Sequence, residues 1–170
     1  MKIPARANPA TLEVAVEAMG HVNYGRCMRD DRKGVFGTVT LDGAELKGWA
    51  LDLKPMTDET VAAAKPGKRR PDAFGGHFRG TFTLAGTADT YFDMSRWGKG
   101  TLYVNGRNLG RYWRIGPQLS LYCPASLLKA GENRVDVLDL ECAGPQPIRG
   151  VPENVGGADV KRTENLNNAW

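Results

Sequence analysis

Long apolar runs are missing from these 170 residues. No stretch approaches the roughly 18 consecutive apolar residues of a membrane-spanning helix, so no membrane partner is expected. Cysteine is scarce, with Cys27, Cys123 and Cys142 making an odd number at no CxxC spacing. That argues against both a disulfide framework and the paired ligands of a zinc site. The two histidines, His21 and His77, are far apart and have no thiol or second imidazole beside them. No clustered loop of oxygen ligands marks a calcium site either, so neither a metal nor any other cofactor is expected. Residues 1–9 lack the apolar centre of a signal peptide, which leaves the location open.

A large excess of one charge is also absent. Twenty-three basic residues face 19 acidic ones, for a net charge of +4. The basic residues are interspersed, and Lys68-Arg69-Arg70 forms their one run. No aromatics interleave with it and no recognition helix follows, so it reads as a solvated loop and no nucleic-acid partner is expected. Length excludes one architecture outright, because a (β/α)8 barrel takes about 250 residues.

What the chain does contain is period-two alternation broken by turn signals. Leu12, Val14 and Val16 alternate with Glu13, Ala15 and Glu17, the pattern of a strand with one buried face. Segments 35–41 and 46–53 flank Asp42-Gly43 and read as a hairpin. Phe78, Gly80, Phe82 and Leu84 share a face, and further strands are expected over 90–94, 101–104, 109–113, 119–123 and 134–140. Eight or nine short strands predict an all-β chain, an antiparallel jelly-roll sandwich. Helix is expected only over 57–65, capped by Thr57 or Asp58 and stopped by Pro66-Gly67, with a single turn over 126–129 closed by Gly131. The expected organisation is an arm over 1–10, a sandwich over 11–143 with a surface excursion at 55–76, and a polar tail over 144–170, extended or disordered.

The densest block runs from Asp89 to Pro124. It holds Trp97-Gly98-Lys99-Gly100, then Val104-Asn105-Gly106, Leu109-Gly110-Arg111-Tyr112-Trp113, Gly116-Pro117-Gln118 and Leu121-Tyr122. In order and spacing these motifs resemble the C-terminal β-domain of β-galactosidases of glycoside hydrolase family 35. Upstream, Val16-Glu17-Ala18-Met19-Gly20, Asn23-Tyr24-Gly25 and Asp31-Arg32-Lys33-Gly34 resemble the segment that opens that domain. The resemblance covers about Leu12 to Glu141.

The resemblance implies a galactose-binding-like jelly roll beside a catalytic barrel on the same or a separate chain, with the barrel supplying the acid/base and nucleophile glutamates of a retaining glycosidase. Nothing here matches the segments bearing them, so no catalytic residue is expected in this chain. Glu13, Glu17, Asp30-Asp31, Asp139 and Glu141 read as strand-face or turn carboxylates. Galactose-containing glycans are the small partners to consider. Trp97, Tyr112 and Trp113 are aromatic enough to stack on a sugar, with Asn105 and Arg111 as polar partners and Asp89 and Asn108 near them. Each has a structural alternative, since a tryptophan beside a glycine turn often fills the end of a sandwich core and an arginine ties down loop carbonyls.

Overall fold

The computed structural model describes residues 3, 5, 7–65, 67, 75–142 and 144–156. The Lys68-Arg69-Arg70 run and the end of the tail lie outside the described residues. The chain divides into two compact units, Met1–Leu53 and Lys54–Trp170, in place of one sandwich starting at residue 11. Among the described residues there are nine strands, every pairing antiparallel, in three sheets.

The first unit is sparse. A 3-10 turn spans Arg26–Arg29, and strands β1 (Thr40–Leu41) and β2 (Ala44–Glu45) form a two-residue ladder. The turn between them is as expected: Asp42 and Gly43 both have positive φ, 49° and 82°, the geometry that suits a two-residue hairpin loop. No strand forms over 12–17 or 46–53, contrary to the alternation. The physical reason is the missing layer. Among the described residues of this unit none is buried, Val14 and Val16 are 49% and 55% exposed, and an isolated hairpin is marginal without a surface to pack on.

The second unit is the sandwich. One sheet has the order β3-β8-β5-β6 and the other β7-β4-β9, built from β3 (Gly76–Leu84), β4 (Thr90–Asp93), β5 (Lys99–Val104), β6 (Arg107–Trp113), β7 (Ser120–Cys123), β8 (Gly131–Asp139) and β9 (Arg149–Val151). β3 and β8 pair over nine residues without a shift. The alternation in β3 is observed: Phe78, Phe82 and Leu84 pack against the core, where Leu102, Val104, Tyr112 and Val137 of the first sheet meet Phe92, Leu121 and Cys123 of the second. Phe82 and Phe92 join the sheets edge to face, with centroids 5.8 Å apart.

Three differences from the sequence reading concern this unit. β9 lies inside the segment expected to be an extended or disordered tail, and it pairs with β4 through Tyr91, Phe92 and Asp93. Its Arg-Gly-Val sequence is too short and too glycine-rich to signal a strand alone. The 3-10 turn Ala125–Leu127 ends in extended Leu128, so Gly131 does not cap it. Part of the excursion at 55–76 is also held down. Helix α1 (Asp58–Ala63) starts where the Thr57 hydroxyl accepts from the Thr60 amide and ends before Pro66. Arg79 of β3 donates to the carbonyls of Val61 and Ala62 at 3.1 and 3.3 Å. Tyr103 of β5 donates to the Met56 carbonyl at 2.8 Å.

Candidate functional site

The motif-rich block resolves into three groups of side chains. The first surrounds Asp139, which ends β8 facing the core and is 1% exposed. One carboxylate oxygen accepts from the Gly98 amide at 2.9 Å and the Tyr112 hydroxyl at 2.8 Å. The other accepts from the amides of Glu141 and Cys142 at 2.7 and 2.6 Å. Four donors compensate the cost of burying the group. Burial first, then the bond to Asp139, holds the Tyr112 phenol well above its ordinary pKa. Gly100 is paired with Asp139 across the ladder, and a Cβ there would lie 1.8 Å from the Leu138 carbonyl oxygen. Trp97-Gly98-Lys99-Gly100 and Tyr112 are thus one packed knot.

The second group closes the β5–β6 hairpin. Asn105 and Gly106 have φ of 50° and 82°, so the Asn-Gly turn forms as its dipeptide requires. Asn105 Nδ2 donates to the Leu127 carbonyl and to Asn133 Oδ1, both at 2.8 Å, and its Oδ1 accepts from the Arg134 amide at 2.9 Å. Buried Asn133 ties the loop before β8 by bonds to Lys129 and Gly131. Further along β6 the register shifts: Leu102 faces Gly110 and Tyr103 faces Asn108. Leu109 is therefore an extra residue, a bulge with Gly110 at φ 122°, and it turns into the core.

The third group lies on the outer face of the same sheet. Asp136 is fully buried beside α1. Its Oδ1 meets His77 Nε2 at 2.7 Å and accepts from Arg79 Nε at 2.6 Å. Arg134 Nε forms an ion pair with Oδ2 at 2.9 Å, out of line for a hydrogen bond. Trp113 carries the Lys99 ammonium 4.3 Å from its ring centroid, a cation–π contact.

The five sequence candidates do not converge. Trp97 is 3% exposed and packs edge-on against Phe78 at 5.3 Å. Tyr112 is in the Asp139 knot, and Asn105 is at the hairpin tip. Arg111, opposite Thr101, and half-buried Trp113, opposite Lys99, share the outer face of β6. Asp89 accepts from the Tyr122 hydroxyl at 2.6 Å and the Ala125 amide at 2.8 Å; those two bonds, the hydroxyl first, hold its carboxyl below the usual range. Asn108 accepts from the Gly110 amide at 2.7 Å. The residues that sequence reasoning did not single out are Asn133 and Asp136, each tied to a residue distant in the chain, Asn105 for the first and His77 and Arg79 for the second. Among the described residues no group of three or more histidine, cysteine, aspartate or glutamate side chains could hold a metal ion.

A family model described as the β-galactosidase galactose-binding domain matches residues 76–133, from β3 into β8, and one described as the β-galactosidase first all-beta domain matches residues 1–56. The chain belongs to the all-β domains of the β-galactosidase family. The first match ends three residues beyond the first compact unit, and the second lies wholly within the second unit. Among similar proteins, the human β-galactosidase-1-like protein 2 is 36% identical over 151 residues, covering 84% of this chain and 23% of its own length. The Xanthomonas manihotis β-galactosidase is 41% identical over 123 residues, covering 72% and 20%. Arabidopsis thaliana β-galactosidase 17 is 38% identical over 151 residues, covering 77% and 21%. The chain thus spans between a fifth and a quarter of the length of these β-galactosidase relatives.

Proposed function

We propose that the chain is a non-catalytic β-sandwich module of a β-galactosidase-like retaining glycoside hydrolase of family 35, and that it braces the catalytic (β/α)8 barrel on the same or a separate polypeptide. The carrying observation is that residues 1–56 and 76–133 match two named all-β domains of β-galactosidases, while the motifs of the second match build packing knots. A retaining glycosidase sets two carboxyl groups about 5 Å apart facing the sugar. Here Asp89, Asp136 and Asp139 are each engaged by protein donors. The purified chain is expected to give no turnover of a chromogenic β-galactoside, and specific turnover abolished by mutating a single carboxylate would overturn the reading.

A second reading, a free-standing carbohydrate-binding (lectin-like) module that takes galactose-containing glycans, is favoured by one observation: Trp113 and Arg111 share the outer face of β6. An aromatic ring with a neighbouring guanidinium suits a pyranose with its hydroxyls. Titration with galactose and lactose is expected to saturate for the native chain and to weaken in Trp113→Ala with the fold intact. No binding across a glycan panel removes this reading and leaves the first standing.

A further inference from the structure

Among the described residues the sandwich is open along one side. Sheet orders β3-β8-β5-β6 and β7-β4-β9 put the contacting strands β6 and β7 on one flank and leave β3 and β9 as the edges of the other. Between those edges is a cleft of about 740 Å3 reaching the core, lined by Phe78, Phe82, Phe92, Trp97, Val135 and Ile148 among others. Trp97 Nε1 is buried and has no acceptor among the described residues. We propose that this cleft takes an extended segment of the catalytic portion's polypeptide, apolar at every second position, which adds as a strand to the free edge of β3.

The case rests on the edge as much as on the cleft, and it builds on the module reading above. Among the described residues β3 has β8 on one side only, so one row of its backbone groups offers a template for another strand. Edge strands are usually blunted by proline, lysine, a bulge or an inward charge. β3, GHFRGTFTL, has no proline or lysine, and its one arginine, Arg79, is drawn onto Asp136 and the carbonyls of α1 on the outer face. It pairs with β8 without a shift and turns Phe78, Gly80, Phe82 and Leu84 inward. Its nine residues offer about 30 Å of edge. Edge addition of this kind takes its affinity from main-chain hydrogen bonds and its selectivity from pockets for alternate side chains, and the apolar cleft beside β3 supplies such pockets. A small ligand fits the volume but leaves the β3 edge unpaired. Of the polar groups at the cleft, Asp89 is engaged by Tyr122 and Ala125 and Thr90 by the Val151 carbonyl, while the buried Trp97 Nε1 is placed to donate to a carbonyl of an inserted segment. The relatives are four to five times longer than the matched region, so polypeptide to supply the segment is part of the proposed enzyme.

Hydrogen exchange on the 170-residue chain tests this, with a nine-residue peptide alternating valine and threonine between terminal lysines as probe and a same-composition peptide with its valines consecutive as control. The alternating peptide is expected to slow exchange of the β3 edge amides about tenfold at saturation, and the control to leave them unchanged. Gly80→Val places its side chain in the cleft, since a Cβ there meets only Val135 Cγ2 at 3.7 Å; it is expected to weaken peptide binding about tenfold with β3–β8 pairing retained. Unchanged β3 exchange at millimolar peptide overturns the proposal. So does binding without β3 protection, which indicates a small-ligand cleft, and so does β3 protection in the free chain that vanishes when residues 157–170 are removed. In a second arm, native chain and Gly80→Val are mixed with a Xanthomonas manihotis β-galactosidase lacking its matching region. Equal assembly of both overturns strand insertion and keeps the module reading. No assembly of either overturns the module reading, and the peptide arm still decides the cleft.

Discussion

Replacing Tyr112 by phenylalanine removes a single oxygen from the interior and keeps the ring. That oxygen donates at 2.8 Å to Asp139, which also accepts from three backbone amides at 2.9, 2.7 and 2.6 Å. A hydrogen bond to a charged partner contributes about 1.5–3 kcal/mol, so Tyr112→Phe should destabilise the chain by about 2 kcal/mol. For a domain of this size that corresponds to a fall in Tm of about 4–8 °C. Asp139→Asn keeps the volume but turns an amide nitrogen toward two of the four donors. With about 1–3 kcal/mol for each buried donor left unpaired, the expected cost is about 2–6 kcal/mol. The double variant should lose less than the sum, because both changes strike one bond, with a coupling of about 1 kcal/mol or more. Urea denaturation followed by tryptophan fluorescence and circular dichroism reads all three. A Tyr112→Phe change smaller than about 0.5 kcal/mol, or strict additivity in the cycle, would refute the claim that the glycine-rich block is a packing knot around Asp139.

Three further outcomes follow from the same geometry. Asn105→Ala loses the bonds to Leu127, Asn133 and Arg134 and strains a left-handed turn, for an expected cost of about 2–4 kcal/mol by denaturation; Asn105→Gly, which keeps the backbone geometry, should lose less. The Asp89 carboxyl is held below its ordinary range by Tyr122 and Ala125, so its contribution is complete above the unfolded pKa of about 3.9 and is lost as pH falls through the lower folded value. Denaturation midpoints measured below about pH 4 should therefore fall more steeply for the native chain than for Asp89→Asn. Burial pushes the Cys123 thiol up to about 11 while Cys27 is exposed; a thiol reagent at about pH 8 should modify Cys27 rapidly and Cys123 only through opening of the sandwich.

The parts of the fold legible in the sequence are those fixed by local chemistry. Asn105-Gly106 and Asp42-Gly43 state their turns because two adjacent left-handed residues restrict the choice of side chain. Phe78, Phe82 and Leu84 state their face by alternation. Residues 12–17 have the same alternation but no apposed sheet in their unit, and no strand forms there. The Arg149–Val151 strand takes its identity from β4, a partner about 60 residues earlier. The same distance effect governs the candidate site. An aromatic beside a glycine turn suits a sugar platform or a core plug equally, and the choice depends on which face meets the second sheet. Trp97 and Tyr112 face inward onto it, and Trp113 faces out. Asp136 and Asp139, three apart on β8, face opposite sides, one held by His77 and Arg79 and the other by Gly98 and Tyr112.

The central claim is that this chain works as a bracing module of a β-galactosidase. Sedimentation velocity of the chain mixed with a β-galactosidase lacking its matching region, with galactoside hydrolysis measured on the same samples, tests it most directly. The account predicts a one-to-one complex whose activity exceeds that of the truncated enzyme, with no activity from the chain alone. Separate sedimentation of the two components, with full activity in the truncated enzyme, would contradict it.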